Sequence, residues 1–324
     1  MKKIAASLLC MIMLTGLLCG CGAGEAPLKL TLVVADAFDD SAFYGSAKEG
    51  CERLAADGVQ VTMVECYGEE HVRAIREAAE TSELVVLVGY DFKDVETIAP
   101  EYPNVYFVWV DNETTSPVEN VLNLTYAQNE GSFLAGYIAA RMSETGIVGT
   151  VAGMDNVTLN DFIVGFRQGA RYADPDVEVE VSYANTYNDP AIGKACALAL
   201  HDQGADVIFQ IAAQTGNGVF EAARERGFWA IGVDSNQKHL AEDVILCSMC
   251  KEIGQSICDV VHTYRSGDKS LWGTTWVADL SAGLVNICYG GEGTLQQVPD
   301  SVKAEVEALE EKIISGEIRV DTTR

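Results

Sequence analysis

Residues Val207-Ile208-Phe209-Gln210-Ile211-Ala212-Ala213-Gln214-Thr215-Gly216-Asn217-Gly218 lead into a polar stretch ending at Arg226, after which Trp229-Ala230-Ile231-Gly232-Val233-Asp234 is apolar again. A short apolar run, a Gly-rich turn, a helix-length mixed segment and a second apolar run form a βα unit that returns to a parallel strand. The same rhythm runs through the whole chain and sets the fold class: α/β, with two doubly wound parallel-sheet lobes joined by crossover strands. Upstream, strands are expected over 28–36, 59–65, 84–89 and 105–110, with helices over 46–57, 70–81 and 94–101. These make one lobe. The segment 121–126 reads as leaving that lobe, and helix 129–142 carries small residues where it would pack. The rhythm then restarts, with strands over 147–152, 177–183, 207–211 and 229–233 and helices over 161–172, 191–203 and 218–226.

Beyond this second lobe, strand 244–249 and helix 253–264 are expected to rejoin the first, while strands 275–279 and 284–288 cross back. The resulting division assigns 28–123 and 237–270 to lobe 1, 124–236 and 271–290 to lobe 2, and 291–324 to a C-terminal surface segment with a helix over 302–314. A chain of this length buries about three quarters of the surface its unfolded form exposes, enough for two cores. A cleft where the strand carboxyl ends of the two lobes meet is the expected ligand site.

The first twenty residues have a different purpose. Lys2-Lys3, an apolar run from Ile4 to Leu18, and Leu18-Cys19-Gly20-Cys21 read as an export signal of residues 1–20. Cys21 would be lipidated, and 21–27 would be a tether. Small Gly20 admits a peptidase to the bond before Cys21; bulky Leu18 makes Cys19 a poorer acceptor. The expected product is an extracytoplasmic, membrane-anchored chain. Loss of Lys2 and Lys3 leaves 20 basic against 48 acidic residues, a net charge of −28. Such a field repels nucleic acid and anionic headgroups. Seven cysteines follow Cys21, and an odd number leaves at least one free thiol. Cys247-x-x-Cys250 lies in an apolar run with no second pair nearby, so buried strand cysteines are the better reading than a metal or redox site. The N-x-[ST] triplets at Asn112, Asn123 and Asn156 read as chance matches.

Several strand ends carry chemistry. Asp36-Ala37-Phe38-Asp39-Asp40-Ser41-Ala42-Phe43-Tyr44 places carboxylates and aromatics together where the first strand closes. Phe43 and Tyr44 offer ring faces, and the acids accept from N–H donors; Asp39-Asp40-Ser41 could equally be an N-cap and first-turn acids. Asp234, ending another strand, suits vicinal hydroxyls or caps the following turn. Ser248 and Lys251, at the close of the next strand, could supply a hydroxyl and an ammonium to the same cleft, although a solvated lysine is the more common outcome in general. The turn at Gly216 presents backbone N–H groups, although it is not a P-loop, and its glycine could simply permit tight packing. His71, His201, His239 and His262 fall away from the strand ends. With no nucleophile elbow, metal cluster or cofactor fingerprint, the reading is a binder without a cofactor.

Seven motifs in order carry a resemblance. They are Asp39-Asp40-Ser41-Ala42-Phe43, Glu130-Gly131-Ser132-Phe133-Leu134-Ala135-Gly136-Tyr137, Gly165-Phe166-x-x-Gly169, Gly204-Ala205-Asp206-Val207-Ile208, Thr215-Gly216-x-Gly218-Val219, Trp229-Ala230-Ile231-Gly232-Val233-Asp234 and Ser248-x-x-Lys251. With these the chain resembles the basic membrane protein family, purine-nucleoside-binding lipoproteins that serve ABC transporters. The resemblance implies a type I periplasmic-binding-protein fold that closes on a nucleoside and presents it to an ABC permease, as a monomer. Carried over, it implies that Phe43 stacks on the base, Asp234 binds ribose hydroxyls, and Lys251 assists there. Asp36 and Asp40 would face the base, Gly216 would sit in the matching turn, and Gln128 and Asn129 would lie at the mouth of the second lobe. One departure stands out: where the family usually reads Ser-Phe-Asn, this chain has Ala42-Phe43-Tyr44. A phenol replaces an amide beside the stacking ring, which admits another flat heterocycle such as riboflavin. A sensor with the same clamshell and an enzyme acting on nucleosides are the remaining alternatives.

Overall fold

The computed structural model describes residues 26–38, 42–112 and 117–323. The signal segment, Cys21, most of the tether and Asp40 lie outside the described residues. The first part of the chain forms β1 (Lys29–Val34), α1 (Phe43–Ala56), β2 (Gln60–Glu65), α2 (His71–Thr81), β3 (Leu84–Val88), α3 (Val95–Ile98), β4 (Tyr106–Val110) and β5 (Val121–Tyr126). Next come α4 (Gln128–Met142), β6 (Ile147–Ala152), α5 (Val157–Ala173), β7 (Glu178–Tyr183), α6 (Pro190–Asp202), β8 (Val207–Ile211), α7 (Asn217–Arg226) and β9 (Trp229–Asp234). The last elements are β10 (Ile245–Lys251), α8 (Ile253–Arg265), β11 (Thr275–Ala278), β12 (Val285–Cys288) and α9 (Asp300–Ile314).

Two six-stranded sheets result, ordered β11-β5-β4-β3-β1-β2 and β12-β10-β9-β8-β6-β7. Every pairing is parallel except that of β12 with β10. Central strands such as β3 and β10 are buried at every residue, as expected of parallel sheets with both faces covered by helices.

Three strand placements correct the sequence reading. β5 does not leave the first lobe, because β4 and β11 pair with it on either side. β10 does not rejoin that lobe; it runs parallel to β9 in the second sheet, from Ile245 opposite Ala230 to Cys250 opposite Asp234. A strand buried on both faces needs an interior slot, and the one beside β9 is reached by a short connection. β11 belongs to the first sheet, so of the last two strands only β12 lies in the second. The chain therefore changes lobe at Ala127, at Glu252 and between β11 and β12. Backbone hydrogen bonds lace these crossings together, from Ala127 N to Ala278 O (2.8 Å) and from Glu252 N to Leu284 O (2.9 Å).

The glycines of two sequence motifs are clearances for helix packing. α4 and α5 cross so closely that a Cβ on Gly136 would enter the Phe166 carbonyl, and Cβ atoms on Gly165 and Gly169 would enter the carbonyls of Asn129 and Phe133. In the first lobe, α1 and α8 meet in the same way at Gly50 and Gly254.

The segment after β12 does more than lie on the surface. α9 packs on α4 and buries Val302, Val306, Leu309 and Ile313. The tail behind it is pinned to α5: Thr322 Oγ1 and Thr323 N donate to Asp161 Oδ1 at 2.6 and 2.9 Å, and Asp321 N donates to Gln168 Oε1 at 2.7 Å. Asp161 is buried. Deleting residues 318–324 should lower unfolding stability by about 2–4 kcal/mol, since hydrogen bonds to a charged group contribute about 1.5–3 kcal/mol each and water recovers part of them. Urea denaturation measures the loss.

All seven cysteines after Cys21 are free thiols. Burial pushes Cys51 and Cys247 up to about 12, whereas a hydrogen bond from the Cys250 thiol brings Cys288 down to about 6. Because the thiolate is the reacting form, iodoacetamide at pH 7 should modify Cys288 well ahead of Cys51 and Cys247, as read by peptide mass spectrometry.

Candidate functional site

The carboxyl ends of the two sheets face one another across a cavity of about 350 Å³. From the first lobe come Asp36 after β1, Tyr90 and Asp91 after β3, Asp111 after β4, and Phe43 and Tyr44 from the first turn of α1. The second lobe supplies Asn156, Leu159 and Phe162 at the start of α5, Tyr187 and Asn188 after β7, Ala213 and Gln214 after β8, Asp234 ending β9 and Lys251 ending β10. Strand ends converge here because parallel strands all point their carboxyl termini to one side.

Lys251 is at the centre. Only 2% of its side chain is exposed, and its Nζ lies 2.9 Å from Asp111 Oδ2 and 3.6 Å from Asp234 Oδ1. The rings of Phe43, Tyr126 and Phe162 surround it with centroids 5.1–5.2 Å away. A desolvated ammonium needs such partners, since an unpaired buried charge is expensive. Asp111 belongs to the first lobe and Lys251 to the second, so this ion pair spans the cleft. A second bridge runs from Asn188 Nδ2 to Asp36 Oδ2 (3.0 Å), and Ala37 N donates to Asp36 Oδ1 (2.9 Å).

Around this centre the wall is preformed. Asn156 caps α5 by accepting from Leu159 N at 2.9 Å, and its Nδ2 donates to Tyr187 OH at 3.3 Å. Phe43 and Tyr44 meet edge to face with ring centroids 5.1 Å apart. Gly89, at φ +125°, passes close to Tyr44, and its carbonyl accepts from Trp109 Nε1 at 2.8 Å. Three non-glycine residues of the wall have left-handed backbones: Asp111 (φ +60°), Ala213 (φ +49°) and Asp234 (φ +63°). Such conformations cost free energy and concentrate at ligand clamps.

Four carboxylates and, among the described residues, a single cation line the cavity. That balance suits a ligand rich in hydroxyl or N–H donors, and disfavours a phosphorylated one. No histidine is on the wall among the described residues.

Of the residues marked in the sequence, Asp36, Phe43, Tyr44, Asp234 and Lys251 share this cavity. Gln128, Asn129 and Gly216 do not. Gln128 is fully buried at the start of α4, where the helix faces the interior of the second lobe. Asn129 turns toward the C-terminal tail and donates to the Asp321 carbonyl at 3.1 Å. Gly216 lies against the Gln210 side chain. Ser248 is likewise behind the wall, accepting from Gln237 N at 3.1 Å. Asp111 was missed, although Tyr106-Phe107-Val108-Trp109-Val110-Asp111 ends in an acid by the same rule that marks Asp234. Nothing local marks Asn188, which matters only because the opposite lobe faces it.

Comparison with known proteins bears on the whole chain. The family model described as "ABC transporter substrate-binding protein PnrA-like" matches residues 28–324. Basic membrane protein A2 of Borrelia garinii subsp. bavariensis is 29% identical over 300 residues, covering 90% of this chain and 88% of that protein. Basic membrane protein A of Borreliella burgdorferi is 27% identical over 303 residues, covering 91% and 88%. Among solved structures, an ABC transporter solute-binding protein from Aeropyrum pernix K1 superposes with a TM-score of 0.78 at 25% identity, covering 90% of this chain and 93% of that one. One from Conexibacter woesei gives 0.75 at 25% identity, covering 91% and 99%.

Proposed function

The chain belongs to the PnrA-like family of ABC transporter substrate-binding proteins, with their type I periplasmic-binding fold, and from that premise we propose that it captures a nucleoside, a purine nucleoside first of all, between its lobes. It delivers this cargo to an ABC permease from outside the cytoplasm, tethered by a lipid on Cys21. Among the described residues no helix is long and apolar enough to cross a membrane.

The observation that carries the ligand assignment is that Phe43, Asp234 and Lys251 share one cavity. Phe43 offers a ring face to a base, Asp234 accepts from two sugar hydroxyls, and Lys251 holds the two acids at the sugar end. Tyr44 and Asp36 are left to read the base edge. Closure about the three crossings brings Asp111 to Lys251 and Asp36 to Asn188. A ligand touching both lobes binds the closed form better and so shifts the population toward it. The permease then meets a shape that reports occupancy.

Calorimetry against guanosine, inosine, adenosine, cytidine, uridine and riboflavin tests the reading. Heat with a purine nucleoside, together with a smaller radius of gyration on binding, is the expected result. Absence of heat with all six sinks the ligand assignment and leaves the fold untouched. Phe43→Ala should weaken purine-nucleoside binding by about 10–100-fold, because stacking of a base on an aromatic ring contributes about 1–3 kcal/mol.

A further inference from the structure

Behind the second-lobe wall is a chain of buried amides. Gln210 in β8, Gln237 after β9 and Ser248 in β10 are each at most 2% exposed. Gln210 Nε2 donates to Gln237 Oε1 at 2.6 Å, the same Oε1 accepts from Val233 N at 2.9 Å, and Gln237 N donates to Ser248 Oγ at 3.1 Å. At the other end, Ala212 N donates to Gln210 Oε1 at 3.1 Å. Neither glutamine touches the cavity, yet each grips the backbone one residue before a left-handed wall residue: Val233 before Asp234, and Ala212 before Ala213.

The turn at Asp234 needs such a grip. Ser235 N donates to Val233 O at 2.7 Å across Asp234, whose φ is +63°. A three-residue closure with positive φ at a non-glycine centre is the rare, strained form of γ-turn, which persists only where its surroundings over-determine it. The glycines of the neighbouring motifs make room for the amides that supply this. A Cβ on Gly232 would stand 2.6 Å from Ser248 Oγ and 2.8 Å from Gln237 Oε1, and one on Gly216 would collide with Gln210 Oε1.

We infer that Gln237, tied to Gln210 and Ser248, is a positioning residue that holds the Asp234 carboxylate in its ligand-facing orientation, and that Gly216 and Gly232 are the clearances this amide pair requires. The function of that orientation rests on the nucleoside reading; the backbone role does not.

Two measurements test it separately. The double variant Gln210→Met/Gln237→Met removes both amides together, so that neither glutamine is left facing an apolar partner, and frees the Val233 and Ala212 N–H groups from the grips under test. Its ligand-free crystal structure should show Asp234 relaxed out of the left-handed region; an unchanged γ-turn overturns the proposal. The second is a double-mutant cycle on guanosine affinity. Gln237→Met should raise the Kd about tenfold in the wild-type background and less than about twofold in an Asp234→Asn background. Equal weakening in both backgrounds assigns Gln237 a general structural role and overturns the proposal. If the wild-type protein does not bind guanosine, the cycle is run with whichever of the other five ligands it binds; if it binds none of the six, the nucleoside reading falls, and the crystal structure alone decides the positioning role.

Discussion

Lys251→Met lowers unfolding stability by about 3–5 kcal/mol and weakens nucleoside binding by about 100-fold or more. The ammonium is shared between Asp111 and Asp234 at 2.9 and 3.6 Å, and their side chains are only 12% and 13% exposed. Removing it leaves two carboxylates facing each other with little water to screen them, and breaking a buried pair from one side is the expensive way to lose it. Methionine keeps the contacts with the Phe43, Tyr126 and Phe162 rings, so the loss reports charge rather than volume. The same substitution removes the ion pair between the lobes. Small-angle scattering should therefore show a more open average shape. Adding Asp111→Asn to Lys251→Met should recover most of the stability and little of the affinity. Urea melts and calorimetry on the two variants check this. An unchanged melt in Lys251→Met would mean that the ion pair contributes nothing to folding.

Gly169→Ala costs about 3 kcal/mol, in the opposite direction to helix propensity. In an open helix this change stabilises by about 1 kcal/mol, since glycine loses more backbone entropy on folding than alanine. Here the added methyl would sit inside the Phe133 carbonyl, and both neighbours on that face are already at backbone contact through Gly165 and Gly136. α4 and α5 have to separate, which opens the packing around Phe133 and Phe166, both fully buried. α5 also carries Asn156, Leu159 and Phe162 to the cavity, so affinity should fall with stability. Gly291→Ala, where a Cβ meets open space, is the control and should melt like the wild type.

The two sheets were legible because parallel strands buried on both faces must be written as continuous apolar runs, and β6 and β8 begin and end where the sequence reading places them. Helix starts were less legible. α5 begins at Val157, four residues before the expected start, because Asn156 caps it. Lobe membership was the least legible property. β10 and β11 are apolar strands like their neighbours, and nothing in their composition states which sheet has a vacant edge or an interior slot.

The candidate site divides in the same way. Strand-end acids and a ring near a helix start are local features, so Asp36, Phe43 and Asp234 could be marked in advance, and Asp111 would have yielded to the same rule. Gln128 and Asn129 were misplaced because a helix N-terminus beside a crossing can face the cleft or the lobe interior, and only the packing of α4 on α5 and the C-terminal tail decides between them. Gly216 was marked for its turn, with tight packing as the other reading, and it does lie in the turn before α7, where a Cβ would strike the side chain of Gln210.

By itself, then, the sequence determined the alternation of strands and helices, the family motifs and the chemistry available at the strand ends, because hydrophobic period and turn composition act over a few residues. Tertiary structure alone decided which strands share a sheet, that Lys251 meets an acid from the opposite lobe, and that buried glutamines set the backbone of Asp234. Those depend on contacts between residues distant along the chain, and a contact has no sequence period to announce it.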